Sequence, residues 1–135
     1  MGHTRKAFIQ KALVVSAGAC IAGAPMACSL LDAPDMRVCS LAELRQAGFW
    51  ITKFNRRQIM ARIDGAEITI FSLICSHKRC TVKWVPDDKQ FQCPCHEGVY
   101  DAEGEVLDGP PPAPLRRFRH EVRGQELWVL NETDT

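Results

Sequence analysis

"CPCHEGVYD", Cys93 to Asp101, gathers two cysteines, a proline and a histidine into four residues. Glu97-Gly98 follows, where a tight loop must turn. Alone, the run fits a metal site, a redox disulfide or a cysteine-rich turn. A second run, "CSHKRC" from Cys75 to Cys80, supplies groups that could face it. Fifteen residues separate His77 from Cys93, room for a strand, a turn and a returning strand. That hairpin would bring both loops to the same end of a sheet.

The chemistry of the two runs is mixed. Two thiolates and two imidazoles make four metal ligands, with one of each from each loop. Zinc accepts such a set. Structural zinc fingers, however, present cysteines as one pair and histidines as the other, and have no use for a further cysteine in each loop. A Rieske [2Fe–2S] centre uses Cys₂ on one iron and His₂ on the other.

The rest of the chain bounds the possibilities. Its 135 residues allow one domain. With 46% hydrophobic and 24% charged residues it is an ordinary globular chain. A net charge of +1 gives no basic field for nucleic acid. Three of the 17 basic residues, Arg5, Lys6 and Lys11, fall in residues 1–31, which carry no acid. The remaining 14 face 16 acidic groups, so the early cations read as an address. Seven cysteines are an odd number and cannot all pair within the chain.

Residues 1–31 read as an export signal. A basic start precedes Ala12 to Leu31, 20 residues without a charge, just long enough to cross a bilayer. "TRKAFIQ" resembles the twin-arginine signal, with Lys6 in the second arginine position. Such signals export proteins already folded around a cofactor. "PMACS" resembles a lipoprotein site, which makes Cys28 a candidate for lipidation, although Pro25 stands where such sites carry leucine. An uncleaved anchor, a lipid anchor and a cleaved signal are the three readings.

Residues 32–135 read as β. Leu41 to Gly48 predicts one short helix capped by Ser40. "FWITKF" and "QIMARI" are joined by "NRR" as a hairpin. Asp64-Gly65 is a turn before "EITIFSLI". "TVKWV", "PDDK" and "FQC" make another hairpin, and "RHEV" and "ELWVL" flank the turn "RGQ". Short strands with frequent turns predict a small antiparallel sandwich or barrel. "GPPPAP", Gly109 to Pro114, makes a stiff loop. Trp50, Trp84 and Trp128 read as packing residues, His120 as a surface strand residue and Cys39 as a buried small hydrophobe.

With these runs in place, the sequence resembles the Rieske family. The family pattern is C-x-H-x-x-C, then C-P-C-H-x-x-x-[FY]-D, then a G-P-P loop, and the likeness covers roughly residues 36–130. It implies an all-β Rieske-type antiparallel sandwich with a small cluster-binding subdomain, and one [2Fe–2S] cluster. It implies Cys75 and Cys93 on the inner iron, His77 and His96 on the outer iron, and a disulfide between Cys80 and Cys95. Pro110 and Pro111 belong to the loop that covers the cluster from a third side, and Tyr100 is placed to donate to the sulfur of Cys75. The extra cysteine pair is similar to respiratory and photosynthetic members.

Departures from the pattern refine the expectation. Cytochrome bc-type members carry a serine after C-P-C-H-G, whose hydroxyl donates to a bridging sulfide; here Gly98 stands there. Donors to sulfur raise the potential, so a value below the top of the Rieske range of about −150 to +300 mV is expected. The family's Leu-Gly in "CTHLGC" is Lys78-Arg79 here, which suits an acidic protein surface. Five residues, Asp32 to Met36, precede the first strand candidate and span under about 20 Å.

The leading expectation is one-electron transfer on the outer, periplasmic face of a membrane, in a quinol–cytochrome c reductase-like complex. Its partners would be cytochromes of b or c type and quinol, without nucleic acid. An alternative is the small subunit of an exported oxidoreductase similar to arsenite oxidase. A third reading, of a different class, is a zinc-bound structural module. No base, nucleophile or substrate pocket marks the chain as a catalyst by itself.

Overall fold

The computed structural model describes residues 34–131. The expected signal, anchor and lipidation features of residues 1–31, Cys28 included, lie outside them.

Three antiparallel sheets stack around two cores. The first joins the two ends of the domain: β1 (Met36–Ser40) pairs with β11 (Glu126–Val129), which pairs with β10 (His120–Arg123). The second has the order β2 (Phe49–Phe54), β3 (Arg57–Asp64), β4 (Glu67–Ser72), β9 (Arg117–Phe118). The third has the order β5 (Lys83–Val85), β6 (Gln90–Gln92), β7 (Val99–Tyr100), β8 (Val106–Asp108).

The second sheet is central because its strands are apolar on both faces. Side chains alternate across a strand. On β3, Ile59 and Ala61 join one core while Met60 joins the other; on β4, Ile70 and Phe71 divide in the same way. One core packs Ile59 and Ile70 against Leu127, Val129 and Cys39. The other packs Met60, Phe71 and Leu73 against Phe91, Tyr100, Cys75 and Cys93. The second core is therefore the floor of the cysteine–histidine loops.

Local chemistry explains the turns. Phe54 pairs with Arg57, leaving Asn55 and Arg56 as a two-residue turn with φ of 49° and 63°. Both central residues are left-handed, as a type I′ hairpin requires. Asp64 pairs with Glu67 around Gly65, whose φ is 59°. The helix α1 (Leu41–Ala47) begins in a capping box: Glu43 N–H donates to Ser40 Oγ at 3.2 Å, and Ser40 N–H donates to Glu43 Oε2 at 2.9 Å. It ends at Gly48, φ 78°, and buries Leu41 and Leu44.

The expected helix and hairpins are present, with shorter strands beside the loops. "EITIFSLI" is a strand only to Ser72, because Ile74 is held by an isolated bridge to Thr81. β7, β8 and β9 are two or three residues long, too short for periodicity to mark. Cys39 is a core residue at 1% exposure, and burial, reinforced by Glu43, pushes its thiol up. Among the described residues no helix is long and apolar enough to cross a membrane.

Candidate metal centre

The β5–β6 hairpin delivers both loops to one end of the third sheet. Lys83 pairs with Gln92, so the chain enters from Cys80 and leaves into Cys93 side by side. The Cys80–Cys95 disulfide joins the loops across a sequence separation of 15. Each loop also closes on itself. Cys75 N–H donates to Cys80 O at 2.8 Å, and Cys93 N–H donates to Gly98 O at 2.7 Å.

Burial sorts the four candidate ligands into two layers. Cys75 and Cys93 are free thiols at 2% and 3% exposure. His77 is half-buried and His96 exposed, with ring centroids 4.9 Å apart at 81°. A thiol pair thus lies beneath and an imidazole pair lies toward solvent.

The floor favours thiolate at Cys75. Burial pushes this thiol up, but Tyr100 Oη donates to its sulfur at 3.3 Å, and the His77 N–H, Cys93 and the Lys78 N–H add to it. The net direction is below the usual thiol range. Tyr100 is fully buried, and its own hydroxyl is pushed up by burial and by Cys75.

The proline loop forms a third wall. Ser76 Oγ donates to Ala113 O at 2.7 Å, tying the first loop to it. Gly98 and Gly109 tie the second. A Cβ on Gly98 would lie 2.6 Å from Pro111 Cγ; one on Gly109 would lie 2.8 Å from Gly98 Cα. Pro111 is buried there, while Pro110 is exposed. Gly98 is therefore a close-approach glycine, and replacing it with serine would push the proline wall away as well as add a hydroxyl. The close approach adds a steric constraint to its reading as a position without a hydroxyl donor. No motif marks Ser76 in the sequence. Its sole signal was its place between Cys75 and His77, and it also donates its N–H to Tyr100 Oη at 3.2 Å.

Residues 35–119 match the sequence profile of the Rieske [2Fe-2S] domain. The chain belongs to the Rieske family.

Two curated relatives show how far the likeness extends. The Rieske chain is 30% identical over 105 residues to a "Cytochrome b6-f complex iron-sulfur subunit" of Chlorobaculum thiosulfatiphilum, covering 78% of this chain and 58% of that one. It is 36% identical over 91 residues to a "Menaquinol:cytochrome c reductase iron-sulfur subunit" of Bacillus subtilis, covering 64% and 54%. It therefore spans just over half the length of these relatives. Among solved structures, the plasma membrane Rieske protein of Synechocystis PCC 6803 superposes with a TM-score of 0.62 at 26% identity, covering 70% of this chain and 97% of that one.

The residues present fit the family's [2Fe–2S] group. His77 Nδ1 is buried without a hydrogen-bond partner, a cost that a bound metal would remove. The trio of donor atoms within 4.8 Å of one another among the described residues is Cys80, Cys93 and Cys95. Two of these sulfurs are bonded to each other and cannot ligate as thiolates. A single tetrahedral ion thus finds no ready set there. A two-iron group needs only two protein ligands on each iron, which suits thiols and imidazoles in separate layers.

Proposed function

We propose that Cys75 and Cys93 bind the inner iron and His77 and His96 the outer iron, and that the protein is a one-electron carrier in a membrane redox chain. In this reading it is the iron–sulfur subunit of a quinol–cytochrome c reductase-like complex, with cytochromes and quinol as partners. The observation that carries it is the buried thiol pair beneath the outward imidazole pair, on loops clamped by the Cys80–Cys95 disulfide. The names of the relatives from Chlorobaculum and Bacillus support the kind of complex. The group, when bound, accepts and releases one electron. The chain's residues position it: Tyr100 polarises the Cys75 sulfur, Ser76 and Pro111 hold the third wall, and the imidazoles stand between the floor and solvent.

Residues 1–31 are proposed as the export signal or anchor, retained, cleaved or lipidated at Cys28, and residues 32–135 as the Rieske domain. The carrier would then work on the periplasmic face of the membrane. Iron, acid-labile sulfide and zinc analysis of the purified protein tests the centre; stoichiometric zinc without sulfide refutes it. Co-purification from native membranes tests the complex, with a cytochrome b expected. The exposed Lys78 and Arg79 favour a second reading, the small subunit of an exported oxidoreductase similar to arsenite oxidase. Recovery of a large soluble oxidoreductase instead of a cytochrome b would select it.

A further inference from the structure

The strands at the rims of the three sheets differ in length and regularity. β5, β8, β9 and β10 have two to four residues, and β1 is broken by a shift of register between Arg37 and Cys39. β2 differs: six residues pair with β3 without interruption, and among the described residues no strand lies on its other side. Ile63 N–H donates to Gly48 O at 3.1 Å, which fixes the phase of this ladder. In an antiparallel pair, residues that bond across the ladder alternate with residues that turn their N–H and C=O away. Trp50, Thr52 and Phe54 therefore bond to β3, and Phe49, Ile51 and Lys53 present theirs at the rim. Among the described residues these outward groups have no hydrogen-bond partner.

The side chains beside this rim are apolar and basic. Alternation along the strand sets Phe49, Ile51 and Lys53 on the face of the second core, against which Phe49 packs. Ile51 is 44% exposed and borders a cavity of about 380 Å³ with Leu73, Val82 and Trp84, next to Gln58 and Lys83. Residues 49–60 hold Lys53, Arg56 and Arg57 and no acid. Among the described residues none of these three cations, nor Lys83, meets a carboxylate within 4.0 Å. Lys83 also borders the groove of Glu97, beyond that distance. A regular, open edge with an exposed isoleucine is a template for a further strand. The charge around it selects which strand.

We propose that the rim of β2 is the docking site for an extended acidic segment of another protein, which adds antiparallel to β2 as a fifth strand of the second sheet. The partner residue opposite Ile51 exchanges both backbone bonds with it and is apolar, so that it covers the cavity. The residue two places earlier lies opposite Lys53 and is acidic. The recognised pattern is acid–any–apolar in chain order. Main-chain bonds supply the affinity and alternate side chains the choice of partner. A second copy of this chain fits less well, because two β2 strands centred on Ile51 offer Lys53 only Phe49. This chain's own ends also lack the pattern: residues 1–31 carry no acid, and residues 132–135, "ETDT", no apolar side chain. None of the four candidate ligands lines the cavity, so the site does not depend on the electron-transfer reading.

The test uses the full-length protein and a fluorescent peptide with blocked ends, Glu-Asp-Thr-Glu-Thr-Val-Thr-Val. Its first valine is placed for Ile51 and the glutamate two places before it for Lys53. Binding is followed by anisotropy at about 10 and about 150 mM ionic strength, where the Debye length is about 30 and about 8 Å. The peptide should bind saturably, and a version with lysine for every acid should bind about tenfold or more weakly at low salt. Methylating the backbone nitrogen of the first valine removes a donor aimed at β2 and should weaken binding about tenfold. Methylating that of the threonine before it, which points away, should not. On binding, the Ile51 and Lys53 amides should gain protection from hydrogen exchange, while those of Trp50 and Thr52 are protected already. Ile51→Pro deletes an outward N–H and keeps the ladder to β3, so it should lose about tenfold or more. Lys53→Glu/Arg56→Glu should reverse the preference in favour of the lysine peptide. No saturable binding up to about 1 mM, equal losses from the two methyl groups, or an unreversed charge preference would overturn the proposal. The methyl pair and the charge reversal decide even where Ile51→Pro does not fold. A dimer in sedimentation that Ile51→Pro dissociates and the peptide does not displace would also overturn it, and would give the rim to a second copy.

Discussion

Replacing Tyr100 with phenylalanine removes one oxygen from the floor of the centre and leaves the ring in place. The side chain is fully buried, so its packing against the second core is preserved. What is lost is the donation from Tyr100 Oη to Cys75 Sγ at 3.3 Å and the acceptor for the Ser76 N–H at 3.2 Å. A hydrogen bond to a charged group contributes about 1.5–3 kcal/mol. At about 59 mV per tenfold for one electron, that is about 65–130 mV. The bond forms in both redox states, and only its strengthening on reduction counts, so Tyr100→Phe should lower the midpoint by about 65 mV. The abandoned Ser76 N–H should cost about 1 kcal/mol of stability. Equilibrium redox titration followed by visible circular dichroism reads the first, and guanidinium unfolding the second. A midpoint equal to that of the unsubstituted protein, with iron and sulfide stoichiometric, would refute the role given to this hydroxyl. The same titration of the natural protein should fall below the upper limit of about +300 mV.

Cys80→Ser/Cys95→Ser opens a clamp across a separation of 15 residues. It should cost about 3 kcal/mol by loop entropy, seen as a lower guanidinium midpoint and faster bleaching of the centre. Gly98→Ser should loosen the centre, because its Cβ meets Pro111 Cγ at 2.6 Å; bleaching slower than in the natural protein would count against that steric account. Glu97 holds a left-handed φ of 58°, so Glu97→Gly should stabilise the apo-protein by about 0.5 kcal/mol, the relief of about 1–2 kcal/mol less the added entropy of glycine. Ser40→Ala removes the helix cap and should cost about 1 kcal/mol at neutral pH. The backbone and side chain of Ser40 hold the Glu43 carboxyl below its usual value, so the cap's contribution is present above the unfolded carboxylate range and lost as pH falls through the folded value. The difference between Ser40→Ala and the natural protein should therefore shrink on acidification.

The likeness to the family lies in the runs Cys75 to Cys80 and Cys93 to Asp101 and in the G-P-P loop, and their chemistry is local. Two cysteine–histidine runs stand out by residue type and spacing, the choice of Cys75, His77, Cys93 and His96 as candidates comes from the resemblance, and the fifteen residues between the loops leave room for the hairpin that is present. The turns at Asn55–Arg56 and Gly65, and the cap at Ser40, were legible for the same reason: each depends on a few adjacent residues. Short strands were not, since β7 and β9 have two residues each and take their shape from neighbours.

Only the tertiary structure decided what surrounds the centre. Residue type alone made Gly98 look like an absent hydroxyl; packing against Pro111, thirteen positions away, makes it a contact point for the third wall. Ser76 acquires its role from Tyr100 and Ala113, which reach it by separate routes. Arg79 reads from the sequence as a cation in the first loop; that Arg57 and Arg116 line the same cavity follows only from the convergence of β3, the first loop and the end of the proline loop. The division has a physical cause. Ligand spacing and turn chemistry are set by bonds along the chain, whereas close approach and electric field depend on which distant segments the cores bring together.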